Sequence, residues 1–139
     1  MDSIKSRVAD VFDIATDQFI DNSAILTVVE SRKQLPWDIE RVFFLQSSTD
    51  AIRGKHAHKS CNQAFLNLHG SSVLTLKDGK EQLVVELESS NTIKLVPAGI
   101  WVEVDLRNGS CLAVFTDQTY EENDYIRDWN EFLEFKASN

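Results

Sequence analysis

From residue 24 to residue 116 the chain repeats one pattern eight times: five to eight residues rich in Val, Ile, Leu and Phe, then a break. The runs fall at 24–30, 39–46, 63–68, 72–76, 82–87, 92–96, 100–106 and 111–116. Asp78-Gly79 and Asn108-Gly109 are hairpin signals, because tight hairpin turns demand positive φ at their centre. Pro36-Trp37 and Pro97-Ala98-Gly99 turn the chain, and His69-Gly70 separates two further runs. Strands at such short, regular spacing leave no room for crossover helices, so parallel βαβ units are excluded. The fold class expected is all-β, a small antiparallel barrel or sandwich.

The ends read differently. Asp128 is placed to cap a helix over 128–136, in which Trp129, Phe132, Leu133 and Lys136 share helical spacing. Its aromatic face is expected to pack on the barrel. In the first twenty residues Val8, Val11 and Ile14 fit an amphipathic helix as well as a strand edge. No linker or low-complexity tract divides the chain. The expectation is one domain over 1–139, with an N-terminal segment at 1–20, a barrel at 21–127 and the helix at 128–136.

Composition narrows the partners. A net charge of −8 and a pI near 4.8 oppose nucleic-acid binding, which needs a clustered excess of Lys and Arg. No apolar run approaches the ~20 residues of a bilayer-spanning helix, so no membrane partner is expected. The N-terminus lacks the apolar core of a signal peptide, and a cytoplasmic location is the default. Cys61 and Cys111 match no zinc spacing and are read as free thiols.

Against this acidic background, Arg53-Gly-Lys-His56-Ala-His58-Lys59 gathers two of the three histidines and flanks them with three cationic residues, Arg53, Lys55 and Lys59. In a strand, residues i and i+2 share a face, so both imidazoles enter one space with backbones roughly 7 Å apart. Each can exchange a proton near neutrality. An anionic small ligand beside proton-transfer groups accounts for the cluster; a solvated charged edge with two incidental histidines accounts for it as well.

A small antiparallel barrel with a His-x-His strand and a later Pro-x-Gly turn resembles the cupin, or jelly-roll, superfamily. Metal-binding cupins add a carboxylate after the first motif and a third histidine after the second. Here those places hold Asn62, Gln63 and Val102, and His69 reads as a turn residue, so no metal and no other cofactor is expected. A narrower set runs in order along most of the chain. It comprises Arg53-Gly-x-His56-Ala-His58-Lys59, Gln63, Gly70-Ser71, Asp78-Gly79, Pro97-x-Gly99-Ile-Trp101-x-Glu103 and Tyr120-x-Glu-x-Asp124-Tyr-Ile-Arg127-Asp-x-x-x-Phe132. It resembles the WxcM-like nucleotide-sugar 3,4-ketoisomerases.

That resemblance implies a dTDP-linked 4-keto-6-deoxy-hexose as substrate, in the biosynthesis of deoxyamino sugars, and a homodimer with exchanged N-terminal strands. The keto group would move from C4 to C3 through an enediol, with His56 and His58 transferring protons. Arg53 is the expected pyrophosphate ligand, since a guanidinium holds phosphate oxygens in pairs. Lys59 at the rim, Gln63, Trp101 and Glu103 complete the expected substrate site. The chain departs from the pattern where relatives carry Tyr (here Phe43-Phe44), His (here Val102) and a glycine turn (here Asp21-Asn-Ser-Ala24). A cupin-type sugar-nucleotide epimerase and a non-catalytic nucleotide-sugar-binding module are the alternatives.

Overall fold

The computed structural model describes residues 5–138. Twelve strands and one helix are formed: β1 (Phe12–Ala15), β2 (Asp17–Ile20), β3 (Ile25–Val28), β4 (Arg41–Gln46), β5 (Ala51–His58), β6 (Gln63–His69), β7 (Ser72–Lys77), β8 (Gln82–Leu87), β9 (Thr92–Val96), β10 (Trp101–Leu106), β11 (Cys111–Thr116), β12 (Tyr125–Ile126) and α1 (Trp129–Ala137). Two five-stranded antiparallel sheets, in the orders β1-β9-β6-β11-β4 and β12-β5-β10-β7-β8, face each other as a jelly-roll barrel. Alternation decides what lies between them. Phe65, Leu112 and Val114 from one sheet meet Leu74, Leu76, Val102, Val104 and Leu106 from the other in one buried cluster.

The outer faces are covered separately. Segment 29–39 lays Leu35, Trp37 and Ile39 over Leu66, Ile93 and Leu95. Helix α1, capped where Asp128 accepts from the Glu131 backbone, packs Phe132 over Ala57, Trp101 and Ile126. The barrel begins earlier than the sequence suggested. β1 lies in the segment assigned to 1–20 and pairs with β9 as an edge strand. Its side chains alternate too weakly for a pattern to register, with Phe12 left 47% exposed. β2 and β3 form a separate ribbon, whose Phe19, Ile20, Ile25 and Leu26 are 59–69% exposed. The first four residues of the expected N-terminal segment lie outside the described residues. Among the described residues no helix is long and apolar enough to cross a membrane.

One irregularity positions the chemistry. β5 pairs with β10 through a bulge in which His56 stands opposite Val102, but Gly54, not Lys55, stands opposite Glu103. Gly54 and Lys55 both take left-handed φ, 83° and 57°. The extra residue reverses the parity of the strand. Arg53, opposite Val104, therefore shares the inner face with His56, three positions away. A Cβ at Gly54 would sit 2.9 Å from the Val102 carbonyl oxygen, on top of the unfavourable φ. Gly54→Ala is expected to lower stability by about 1–3 kcal/mol and to reduce activity, because the bulge sets where His56 points. Denaturant unfolding and turnover measured together check this; an unchanged midpoint and unchanged rate would show that the bulge is dispensable.

Candidate active site

His56 and His58 end β5 on its inner face, with ring centroids 5.3 Å apart and planes perpendicular. The second strand that matters is only two residues long. β12 pairs Tyr125 with His58 and Ile126 with Ala57, so Tyr125 falls on the site side and Ile126 under the helix. The Tyr125 ring lies 4.9 Å from His56 and 4.3 Å from His58. Its hydroxyl accepts from Arg41 Nη1 at 3.3 Å. The Arg41 guanidinium itself stacks between Phe43, at 4.6 Å, and Tyr120, at 5.2 Å. Arg127 lies over the other side of Tyr125, 4.3 Å from the ring centroid, and is held by both oxygens of Glu122.

The 3-10 turn at Glu122–Asp124 sends Asp124 back under β5. One carboxylate oxygen accepts from the backbone and hydroxyl of Ser60, both at 2.8 Å. The other meets His58 Nδ1 at 2.9 Å and the Cys61 backbone N–H at 3.2 Å. Burial pushes the Asp124 carboxyl up, but the hydrogen bonds from Ser60 and His58 outweigh it and hold it below its ordinary value. Burial also depresses both histidines. It takes His56 down to about 4, with the adjacent His58 the next cause. For His58 the lowering by burial is opposed by Asp124. His56 Nδ1 and His58 Nε2 are buried and have no hydrogen-bond partner among the described residues. Two neutral imidazoles are thus kept at one spot, ringed by the guanidiniums of Arg41 and Arg127 and the phenol of Tyr125. Such a site can take a proton from carbon and can stabilise oxyanions.

The family described as FdtA, WxcM-like, C-terminal, matches residues 9–137. The chain belongs to this family. Of its WxcM-like relatives, the TDP-4-oxo-6-deoxy-alpha-D-glucose-3,4-oxoisomerase of Aneurinibacillus thermoaerophilus is 30% identical over 122 residues, covering 86% of this chain and 88% of that protein. The crystal structure of QdtA, a sugar 3,4-ketoisomerase from Thermoanaerobacterium thermosaccharolyticum in complex with TDP, superposes with a TM-score of 0.89 at 29% identity, over 94% of this chain and 96% of that one. A 3,4-ketoisomerase from Helicobacter canadensis gives 0.88 at 30% identity, over 93% and 98%.

Within this WxcM-like barrel the expected site residues separate into two groups. His56, His58 and Arg53 share one face of β5. Gln63, 5% exposed, opens β6 in a cross-strand row with Thr116 and Arg41 that faces the same interior. Lys59 follows β5 at the surface, its backbone N–H donating to the Asp124 carbonyl. Trp101 and Glu103 are not brought to the histidines. Both lie on the outer face of β10, where the Trp101 indole stacks at right angles on Trp129 and donates to Glu103 Oε2 at 3.0 Å. Lys77 holds the same oxygen at 3.3 Å. Their expected substrate contact is corrected to a brace beneath α1; strand parity is the reason, since Val102 takes the inward position. Phe43 faces inward and Phe44 is 59% exposed, so Phe43 is the one that stands in the site without a hydroxyl.

His58, Cys61 and Asp124 place possible metal donors within 4.8 Å of one another. Their chemistry does not suit a metal. Both Asp124 oxygens are already committed to backbone donors, and burial pushes the Cys61 thiol up to about 12, far from the thiolate a metal requires. Asp124, held by the Ser60 and Cys61 backbone N–H groups, is a hydrogen-bonded support for His58.

Proposed function

We propose that this chain is a TDP-sugar 3,4-ketoisomerase acting on a TDP-4-keto-6-deoxy-hexose, with His56 and His58 as the proton-transfer pair. The observation that carries the reading is the pair itself: two imidazoles, His58 buried and His56 half-buried, edge to face at 5.3 Å, each with a buried ring nitrogen unpartnered among the described residues, beside Tyr125. The C3 hydrogen of such a sugar is acidified by the neighbouring ketone, so a neutral imidazole suffices to remove it. The resulting enediolate oxygen needs cationic or hydrogen-bonding partners, and Arg41 and Tyr125 stand closest to the pair. A diphosphate brings negative charge that lifts the depressed histidine pKa values back toward neutrality, where general acid–base catalysis works best. Arg53 on the same face of β5, with Lys59 at its end, is assigned to the diphosphate, and Gln63 to a sugar hydroxyl. No cofactor enters this scheme, and the activity is assigned to the cytoplasm.

The test is turnover of TDP-4-keto-6-deoxyglucose in deuterium oxide. A 3-keto product with deuterium at C4 is expected. Inversion at a carbon with the ketone still at C4 would instead make the protein an epimerase, and unchanged sugar would make it a binding module.

The working unit is assigned as a homodimer in which the ribbon of β2 and β3 lies on the partner's sheet. Phe19, Ile20, Ile25 and Leu26 of the ribbon, and Val42 and Phe44 on the outer face of edge strand β4, are exposed by 43–69% in the single chain. Apolar surface of that kind on an edge strand is a liability that a second copy removes. Light scattering at micromolar concentration should give twice the chain's 15.8 kDa; a monomeric mass would overturn the assignment.

A further inference from the structure

We propose that Asp124 is a positioning residue for the reaction: it locks His58 in the tautomer that carries its proton on Nδ1 and turns the bare Nε2 toward the site. The inference rests on the isomerase reading above and adds a role for a residue that touches no substrate.

The argument is one of donors and acceptors. The backbone N–H groups of Ser60 and Cys61 can only donate, and they bind different oxygens of Asp124, at 2.8 and 3.2 Å. Both oxygens accept, Oδ1 a second time from the Ser60 hydroxyl, and these bonds hold the carboxyl below its ordinary value, so the group is the ionised carboxylate. A carboxylate has no proton to give, so at 2.9 Å the Nδ1 of His58 must be the donor. The neutral ring then has its lone pair at Nε2. That atom is buried and without a partner among the described residues, in a ring whose aromatic neighbours are His56 and Tyr125.

The consequence for the ketone shift follows. When the C3–H bond breaks, its electron pair forms the C3–C4 double bond and the carbonyl π pair moves onto oxygen; the proton passes to the imidazole pair. The C4 oxygen then gains a proton and the C3 hydroxyl loses one; as the N–H bond breaks, the C3–C4 π pair takes that proton at C4 and the pair left on the C3 oxygen forms the new carbonyl. The positive charge in transit settles on whichever imidazole is better supported. His56 has no carboxylate in hydrogen-bond contact among the described residues; Glu122, itself paired with Arg127, acts on it only from a distance. His58 has Asp124 at 2.9 Å, and the other ionisable groups around it are Arg41 from β4, Tyr125 and Arg127 from β12 and the turn after it, and the un-ionised Cys61 thiol. Asp124 is the anion that directly contacts that ring, and it makes His58 the member that bears the charge.

Asp124→Asn tests this with little change of shape. One amide oxygen can serve Ser60, but the nitrogen must then face His58 and the Cys61 N–H, where it can only donate. His58 would be driven to the Nε2–H tautomer, which has no lone pair to offer the site. The expected result is a turnover lowered by about 10²- to 10⁴-fold, the scale seen when a carboxylate that holds a catalytic imidazole is neutralised. TDP affinity should change little, and the acidic limb of the pH–rate profile should move to lower pH, because the His58 imidazolium has lost its counter-charge. Nitrogen-15 spectra of labelled histidine read the tautomer directly, in the wild type as well as the variant. Nδ1–H for His58 in the wild type and Nε2–H in the variant are expected. Wild-type turnover in the variant, or an Nε2–H tautomer in the wild type, would overturn the proposal; the second holds even if the variant does not fold. An inactive wild-type protein counts against the isomerase reading, so the two fail by different observations.

Discussion

Turnover of the His56→Asn and His58→Asn variants is expected to fall by about 10²-fold or more, the contribution of a positioned acid–base group, while TDP affinity stays within a few-fold. Asn keeps a polar side chain of similar reach but cannot take up a proton at neutral pH, so it isolates proton transfer from packing. His56 is the cleaner probe, because its Nδ1 serves no other residue among those described. His58→Asn can keep a donor to Asp124 in its amide nitrogen, but it loses the rest of a buried ring and should cost some stability. Arg53→Ala provides the contrast. It sits on the same face of β5 but is exposed, its guanidinium donating only to the Ile52 carbonyl, so its loss should weaken TDP binding and leave the saturated rate nearly intact. Titration calorimetry with TDP and steady-state rates separate the two kinds of defect. If both His variants turn over at the wild-type rate, the pair is not catalytic, whatever family the chain belongs to.

The largest loss of stability is expected from Phe132→Ala, about 3–5 kcal/mol, the usual cost of truncating a fully buried Phe. Phe132 is 0% exposed and its ring lies 5.7 Å from Trp101 and 5.3 Å from Trp129. A nine-residue helix is too short to persist on its own, so its order depends on this contact. Set against typical domain stabilities of about 5–15 kcal/mol, the change should move the urea midpoint far down. Tryptophan emission should shift to the red as Trp101 and Trp129 meet water. A loss below about 1 kcal/mol would mean that the helix contributes little to the barrel.

Most strands were legible because turn chemistry and side-chain alternation agree, as in β7 and β10, whose neighbours are bounded by Asp78-Gly79 and Asn108-Gly109. The histidines were legible because a spacing of two in a strand has one geometric meaning. Arg53 was read with them on chemistry alone. Simple alternation would put a residue three positions from His56 on the opposite face, and only the left-handed pair Gly54-Lys55 brings it round. Trp101 and Glu103 illustrate the converse. Their motif was visible, but not which face of β10 they occupied, since Trp101 and Val102 are adjacent, both apolar and both buried. Arg41, Tyr125 and Asp124 were missed as site residues because no strand period marks them. Arg41 opens an ordinary apolar strand, and β12 is too short to have a period. The available signal was the Tyr-x-Glu-x-Asp-Tyr-Ile-Arg string just ahead of the helix cap, dense in polar and aromatic groups where a connecting turn needs few.

The bond between His58 and Asp124 joins positions 66 residues apart, and this has a bearing on when the protein can first work. A chain still emerging from the ribosome presents the histidine strand long before the turn that supports it. Tyr125 arrives with that turn, and Phe132, which packs against β12 and the helix, follows it. The inner walls of the barrel can close beforehand, since every strand from β1 to β11 precedes residue 117. The nascent barrel would therefore carry its two imidazoles unsupported, and become competent only once residues 117–132 have been made and docked.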